Sequence, residues 1–108
     1  MTWDINYYDK AIKDLTNLNK SVSARVIKAI NRVSQNPLPQ SEGGYGKPLG
    51  NNQSSKLAGC MKIKLQSLGL RVVYQLIRDG KTMKIIIVSI RDDNEVYKEA
   101  ERRINESK

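Results

Sequence analysis

The chain has 108 residues, of which 39% are hydrophobic and 28% charged, a size and composition that suit one globular domain spanning 1–108. Its formal charge is +8, which points to an acidic partner, nucleic acid being the commonest, or else to a basic but inert surface. No apolar run approaches the roughly 20 residues of a membrane span, residues 1–10 lack a basic segment followed by an apolar one, and there is no histidine, so a membrane helix, a secretory leader, the usual zinc ligands and imidazole catalysis are set aside and a cytoplasmic location is expected.

The first element is "WDINYY", where Trp3, Ile5 and Tyr7 alternate with Asp4, Asn6 and Tyr8 as in a half-buried strand. Asp9 can cap a helix in which Ala11, Ile12, Leu15 and Leu18 form an apolar stripe. After a polar turn at 17–20 a second helix is expected over 21–35, with Val22, Val26, Ala29, Ile30 and Val33 on one side and Arg25, Lys28 and Arg32 on the other. Asn36-Pro37 should end it. Two amphipathic helices so close in sequence suggest an antiparallel hairpin. Residues 37–55 hold the three prolines and four glycines and read as a long, partly mobile loop.

From residue 56 the pattern turns to strands, at 56–66, 70–78 and 82–90, with Asp79-Gly80 as a hairpin signal between the last two. Residues 70–77 and 85–90 are apolar on both faces, which suits central strands covered on both sides. Asp92 and Glu95 fit a capping box for a final helix carrying Val96, Ala100 and Ile104 at four-residue spacing. The predicted order is β-α-α-β-β-β-α, an α+β fold in which a twisted antiparallel sheet packs on the N-terminal helical hairpin, with a short C-terminal helix. Cys60, the one cysteine, lies between Gly59 and Met61 at a strand start and reads as a small core residue.

One stretch resists a purely structural reading. In "KIKLQSLGLRVVYQLI", at 62–77, Lys62 and Lys64 share a strand face, and pairing Leu65 with Leu70 places Lys64 opposite Arg71. Like charges directly opposed destabilise a ladder. Solvated lysines on an edge strand would explain Lys62 and Lys64, but Arg71 opens a strand that otherwise reads as central. Arg91 stands before the last helix and Tyr97 in its first turns, where Tyr97 could instead extend the apolar stripe. Gathered together, these residues make an anion site. A phosphodiester would neutralise the cations, and Arg can grip it with two hydrogen bonds. Such a site could also cleave RNA. Attack by a ribose 2′-OH builds negative charge that fixed cations stabilise, and crowding by like charges suits a lysine to act as general base.

These residues carry a family resemblance. "KLAGCMKIKLQSLGLRVVYQLI", "IIIVSIRDDNEVYKEAERRI" and the "GKPLGN" loop at 46–51, with the helical pair before them, resemble the RelE branch of the RelE/ParE toxin superfamily over nearly the whole chain. The resemblance implies the toxin of a type II toxin–antitoxin pair, a ribosome-dependent endoribonuclease that cuts mRNA in the A site without metal or cofactor. It places the active-site lysine pair at Lys62 and Lys64, the two arginines at Arg71 and Arg91, and the tyrosine at Tyr97. On that basis Lys64 is the expected general base, Arg91 the donor to the leaving oxygen, and Lys62 and Arg71 the groups that stabilise phosphate charge. Tyr97 would stack on or orient the cleaved nucleotide. Arg25, Lys28 and Arg32 are expected to meet ribosomal RNA, and a cognate antitoxin to cover the sheet or displace the last helix.

Two departures stand out. Many relatives have Gly-His-Arg or Gly-Lys-Arg where this chain has Ser89-Ile90-Arg91, and the 37–55 loop is longer than in compact members. Two other functions fit the same fold: a ParE-like inhibitor of DNA gyrase, which needs no such five-residue set, and a non-cleaving relative that binds nucleic acid or only its antitoxin.

Overall fold

The computed structural model describes residues 2–49, 57, 59–90 and 93–106. Along them run β1 (Asp4–Tyr7), α1 (Asp9–Thr16), α2 (Lys20–Val33), β2 (Lys47–Pro48), β3 (Cys60–Leu65), β4 (Leu70–Ile77), β5 (Thr82–Ser89) and α3 (Asp93–Glu106). The predicted α+β order is present, with β2 added inside the long loop. The strands form one sheet in the order β1-β5-β4-β3-β2. β2 to β5 pair antiparallel, whereas β1 joins β5 in parallel, so the sheet is mixed and not wholly antiparallel as expected. The helical pair between β1 and the meander explains the difference. It frees β1 from the tight turn that makes sequence neighbours antiparallel, and the open edge of β5 accepts it.

Local chemistry sets the element ends. Tyr8, not Asp9, is the cap position of α1 and makes no side-chain cap bond; Asp9 lies in the first turn, where its charge still suits the helix's positive end. Asn19 caps α2 by accepting from Val22 N at 2.9 Å, which starts that helix at Lys20. α2 ends at Val33, short of the proline, where Ser34 becomes the C-cap and its hydroxyl donates back to Asn31 O. Gly80 and Lys81 turn the β4–β5 hairpin with φ of +84° and +51°. β3 begins only at Cys60, after a left-handed Gly59. The proposed cap at Asp92 lies outside the described residues.

Two apolar layers cover the sheet. Ala11, Val26, Ile30 and Val33 of the helical hairpin pack with Leu70, Val72, Tyr74, Met83 and Ile85 on one face. Val96, Ala100 and Ile104 of α3 pack with Cys60, Val73, Ile86 and Ile87 on the other. The two-sided apolar pattern of β4 and β5 is thereby explained. A bulge interrupts their ladder: Val73 faces Ile87 and Tyr74 faces Ile85, leaving Ile86 extra. Ile86 and Ile87 consequently both join the α3 layer, and Val88 returns to the hairpin layer.

The loop expected to be partly mobile is pinned over 37–49, and residues 50–55 lie outside the described set. Tyr74 Oη, buried in the core, donates to Pro37 O at 2.8 Å. Gly46 passes so near that a Cβ there would lie 2.5 Å from that hydroxyl. Arg78 holds Glu42 through two bonds, of 3.0 and 2.7 Å. Among the described residues no helix is long and apolar enough to cross a membrane.

Candidate nuclease centre

The register read from the sequence is the one observed: Leu65 pairs with Leu70, and Lys64 with Arg71. Met61, Ile63 and Leu65 enter the hairpin layer, so the alternation of β3 turns Lys62 and Lys64 to the α3 face. Arg71 is directly across from Lys64 and, on its other side, from Ser89. The bulge produces this last pairing, because without the extra residue Val88 would stand opposite Arg71. Lys64 is exposed, while Lys62 and Arg71 are half-buried. Beside them, Lys64 and Arg71 line a depression of about 200 Å³ with Gln66 and Gly69.

β2 adds a cation that the sequence reading left in an irregular loop. Lys47 pairs with Lys62, so it shares the same face. β3 is therefore not a bare edge, and two cross-strand pairs in this corner, Lys47–Lys62 and Lys64–Arg71, carry like charge. The only sequence signal was its place in the "GKPLGN" loop.

α3 closes the other side of the cluster. Lys62 Nζ lies 5.9 Å from the centroid of the Tyr97 ring, a cation–π contact. The Tyr97 hydroxyl is shut off from solvent and has no hydrogen-bond partner among the described residues. Lys62, Lys64, Arg71 and Tyr97 are thus brought together. Arg91 lies outside the described residues. Its neighbour Ile90 is 73% exposed. Cys60 is buried, and burial pushes its thiol up to about 11, so it stays protonated near neutral pH and belongs to the core as expected.

Arg25, Lys28 and Arg32 are exposed on α2, which covers the opposite sheet face. They rim a groove of about 630 Å³ floored by Ala29, Leu65 and Leu68. Arg25 Nη2 reaches Ser67 Oγ in the β3–β4 turn at 3.3 Å, and Arg32 lies over the Tyr45 ring at 5.9 Å. The stripe therefore approaches the cationic face at that turn and, through Tyr45, near the start of β2.

The sequence reading missed a buried ionic network under α3. Arg103, 8% exposed, donates from Nη1 to Asp14 Oδ2 at 2.8 Å and to Ile86 O at 2.9 Å, from Nη2 to Asp14 Oδ1 at 3.2 Å, and from Nε to Glu99 Oε2 at 2.9 Å. Asp14 Oδ2 also accepts from Val88 N at 3.0 Å. Burial by itself would raise the Glu99 carboxyl, but the Arg103 and Arg102 guanidiniums outweigh it and hold that carboxyl below its ordinary value. Burial likewise opposes charge on Arg103, and Asp14 and Glu99 outweigh it. A signal was available: Arg103 falls three residues after Ala100, within the apolar stripe of α3.

Comparison with known proteins places this arrangement. No protein-family model matches the chain. The chain is 31% identical to the mRNA interferase toxin RelE of Escherichia coli K12 over 104 residues, covering 96% of this chain and 99% of that one. It is 28% identical to a putative RelE-like toxin protein of Escherichia coli, with the same coverage. Among solved structures, an arginine-substituted E. coli RelE in the free state superposes with a TM-score of 0.73 at 29% identity, over 96% of this chain and 99% of that one. A chain of the RelBE2 toxin–antitoxin complex from Mycobacterium tuberculosis superposes with a TM-score of 0.65 at 25% identity, over 84% of this chain and 100% of that one.

Proposed function

Because this chain belongs to the RelE family of mRNA interferase toxins, we propose that it cuts mRNA in the ribosomal A site as the toxin of a type II toxin–antitoxin pair, and that a cognate antitoxin holds it in check. Residues 1–108 act as a single toxin domain in the cytoplasm. The observation that carries the reading is the gathering of Lys62, Lys64 and Arg71 on one sheet face, with the Tyr97 ring across from Lys62.

The chemistry follows from that face. A ribose 2′-OH attacks the adjacent phosphorus and loses its proton to Lys64, which must be neutral to accept it. The bond from phosphorus to the 5′-oxygen breaks, leaving a 2′,3′-cyclic phosphate and a 5′-OH. Lys62 and Arg71 stabilise the charge that grows on the phosphoryl oxygens. Arg91 serves the leaving oxygen, by electrostatics more than by proton transfer, since a guanidinium is a poor acid. Tyr97 stacks on or orients the nucleotide. No metal or cofactor enters this scheme. Arg25, Lys28 and Arg32 meet ribosomal RNA.

The named relatives favour this reading over the gyrase inhibitor. The test is a translation reaction whose mRNA ends are mapped by primer extension. Cuts within A-site codons are expected, reduced about 10²–10³-fold in Arg71→Ala. Intact mRNA beside gyrase-dependent DNA breaks would overturn the proposal.

A further inference from the structure

The Arg103 network lies away from the cationic cluster, yet it touches both structures that complete it. One is α3, which carries Tyr97. The other is the bulged stretch of β5, which puts Ser89 opposite Arg71. β1 pairs with β5 only as far as Ile85, and the next groups along that strand, Ile86 O and Val88 N, are served by Arg103 and Asp14. The two ends of α3 have different holds on the molecule. In its second turn Tyr97 meets Lys62, and toward its C-terminal end Arg103 is bonded to α1, to β5 and to Glu99 of its own helix. Lys10 of α1 adds a surface ion pair to Glu106 at 2.6 Å. The Arg103 guanidinium and the Asp14 carboxylate between them join all three elements, and the planar fork of the guanidinium fixes angle as well as distance.

We propose that Arg103 and Asp14 are positioning residues of the cleavage reaction: their buried pair locks α3 to the β5 bulge and so sets the Tyr97 ring and the Arg71–Ser89 pairing in one geometry. The proposal rests on the nuclease reading above. Neither residue touches substrate. Both act through the placement of groups that do, and a displacement of about 1 Å at such groups can cost about 10²-fold in rate.

The test uses ribosomes programmed with a defined A-site codon and compares wild type, Arg103→Lys, Asp14→Asn and Tyr97→Ala. Val26→Ala, a truncation in the hairpin layer on the far side of the sheet, controls for general loss of stability. Single-turnover cleavage is expected to fall about 10²-fold in Arg103→Lys and about 10-fold in Asp14→Asn, with the ribosome Kd changed less than about twofold. Val26→Ala keeps its rate below its unfolding temperature. In a Tyr97→Ala background the further loss from Arg103→Lys shrinks by about tenfold, because part of what it disturbs is already gone. Wild-type rates in both variants, a loss confined to ribosome affinity, an equal loss in Val26→Ala, or an undiminished loss beside Tyr97→Ala would each overturn the positioning role. If Arg103→Lys does not fold, the same comparisons on Asp14→Asn decide. Wild-type protein that leaves ribosome-bound mRNA whole would overturn the nuclease reading itself, and the positioning role with it.

Discussion

Lys64 and Arg71 face each other across a ladder, and Lys47 faces Lys62 one strand away. Each opposition works against the sheet by roughly 0.2–1 kcal/mol. Lys64→Thr is therefore expected to raise the unfolding free energy by about a few tenths of a kcal/mol, read as a higher urea midpoint, while abolishing mRNA cleavage. Stability and activity would then part company at one residue, as they do where a site is held under strain. A midpoint that falls with activity would argue that Lys64 serves the fold. Gly46 makes the opposite case. A Cβ there would meet Tyr74 Oη at 2.5 Å and Pro37 O at 2.8 Å, so Gly46→Ala should cost about 1–3 kcal/mol by overpacking, read as a lower urea midpoint. Its effect on cleavage follows from the loss of β2, the strand that Gly46 leads into.

At the scale of elements, α3 is held by burial of Val96, Ala100 and Ile104 and by ionic contacts that depend on carboxylates. The Glu99 carboxyl is depressed below its ordinary 4.5, so its contribution is present above that value and disappears as pH falls through the depressed folded one. Glu106 is held low in the same sense, by Lys10. Acid should accordingly loosen α3 before it unfolds the sheet, seen as faster amide exchange in residues 95–106 below about pH 4.5 while β4 stays protected. Asp14→Ala is a harsher lesion. It leaves Arg103 buried without its main partner and should cost roughly 3–5 kcal/mol in urea unfolding. Much of this element layer was legible in the sequence. Hydrophobic period gave all three helices, and the alternation about Leu65 and Leu70 gave the register that opposes Lys64 to Arg71. What escaped depends on contacts distant in sequence. The parallel pairing of β1 is decided by which sheet edge remains open, the bulge at Ile86 by packing under α3, and the role of Asp14 by a guanidinium on the last helix. Lys47 escaped because a two-residue strand has no period to read.

For the molecule as a whole, charge is the dominant quantity. A net +8 on 108 residues gives a salt-dependent attraction to RNA that does not depend on sequence. The α2 stripe and the α3-face cluster lie on opposite sides of the sheet and approach each other near the β3–β4 turn, which would let one group anchor the protein while the other reaches the message. Neutralising Arg25, Lys28 and Arg32 should weaken ribosome binding and flatten its dependence on salt by roughly one unit of slope per lost contact, with little change in the cleavage rate of bound complexes. An unchanged slope would place the ribosome contact elsewhere.

The network beneath α3 also bears on when the protein becomes active. Asp14 and Arg103 are 89 residues apart, and β1 finds its partner only in β5. Contacts of such range form late and slowly, since the chain between them must first be ordered. During synthesis the first half of the molecule emerges without the strand that completes its sheet edge and without the guanidinium that Asp14 requires. A nascent chain interrupted before α3 would carry Lys62, Lys64 and Arg71 but not the helix that sets Tyr97 beside Lys62. The nuclease centre proposed above is thus complete only once α3 has been made.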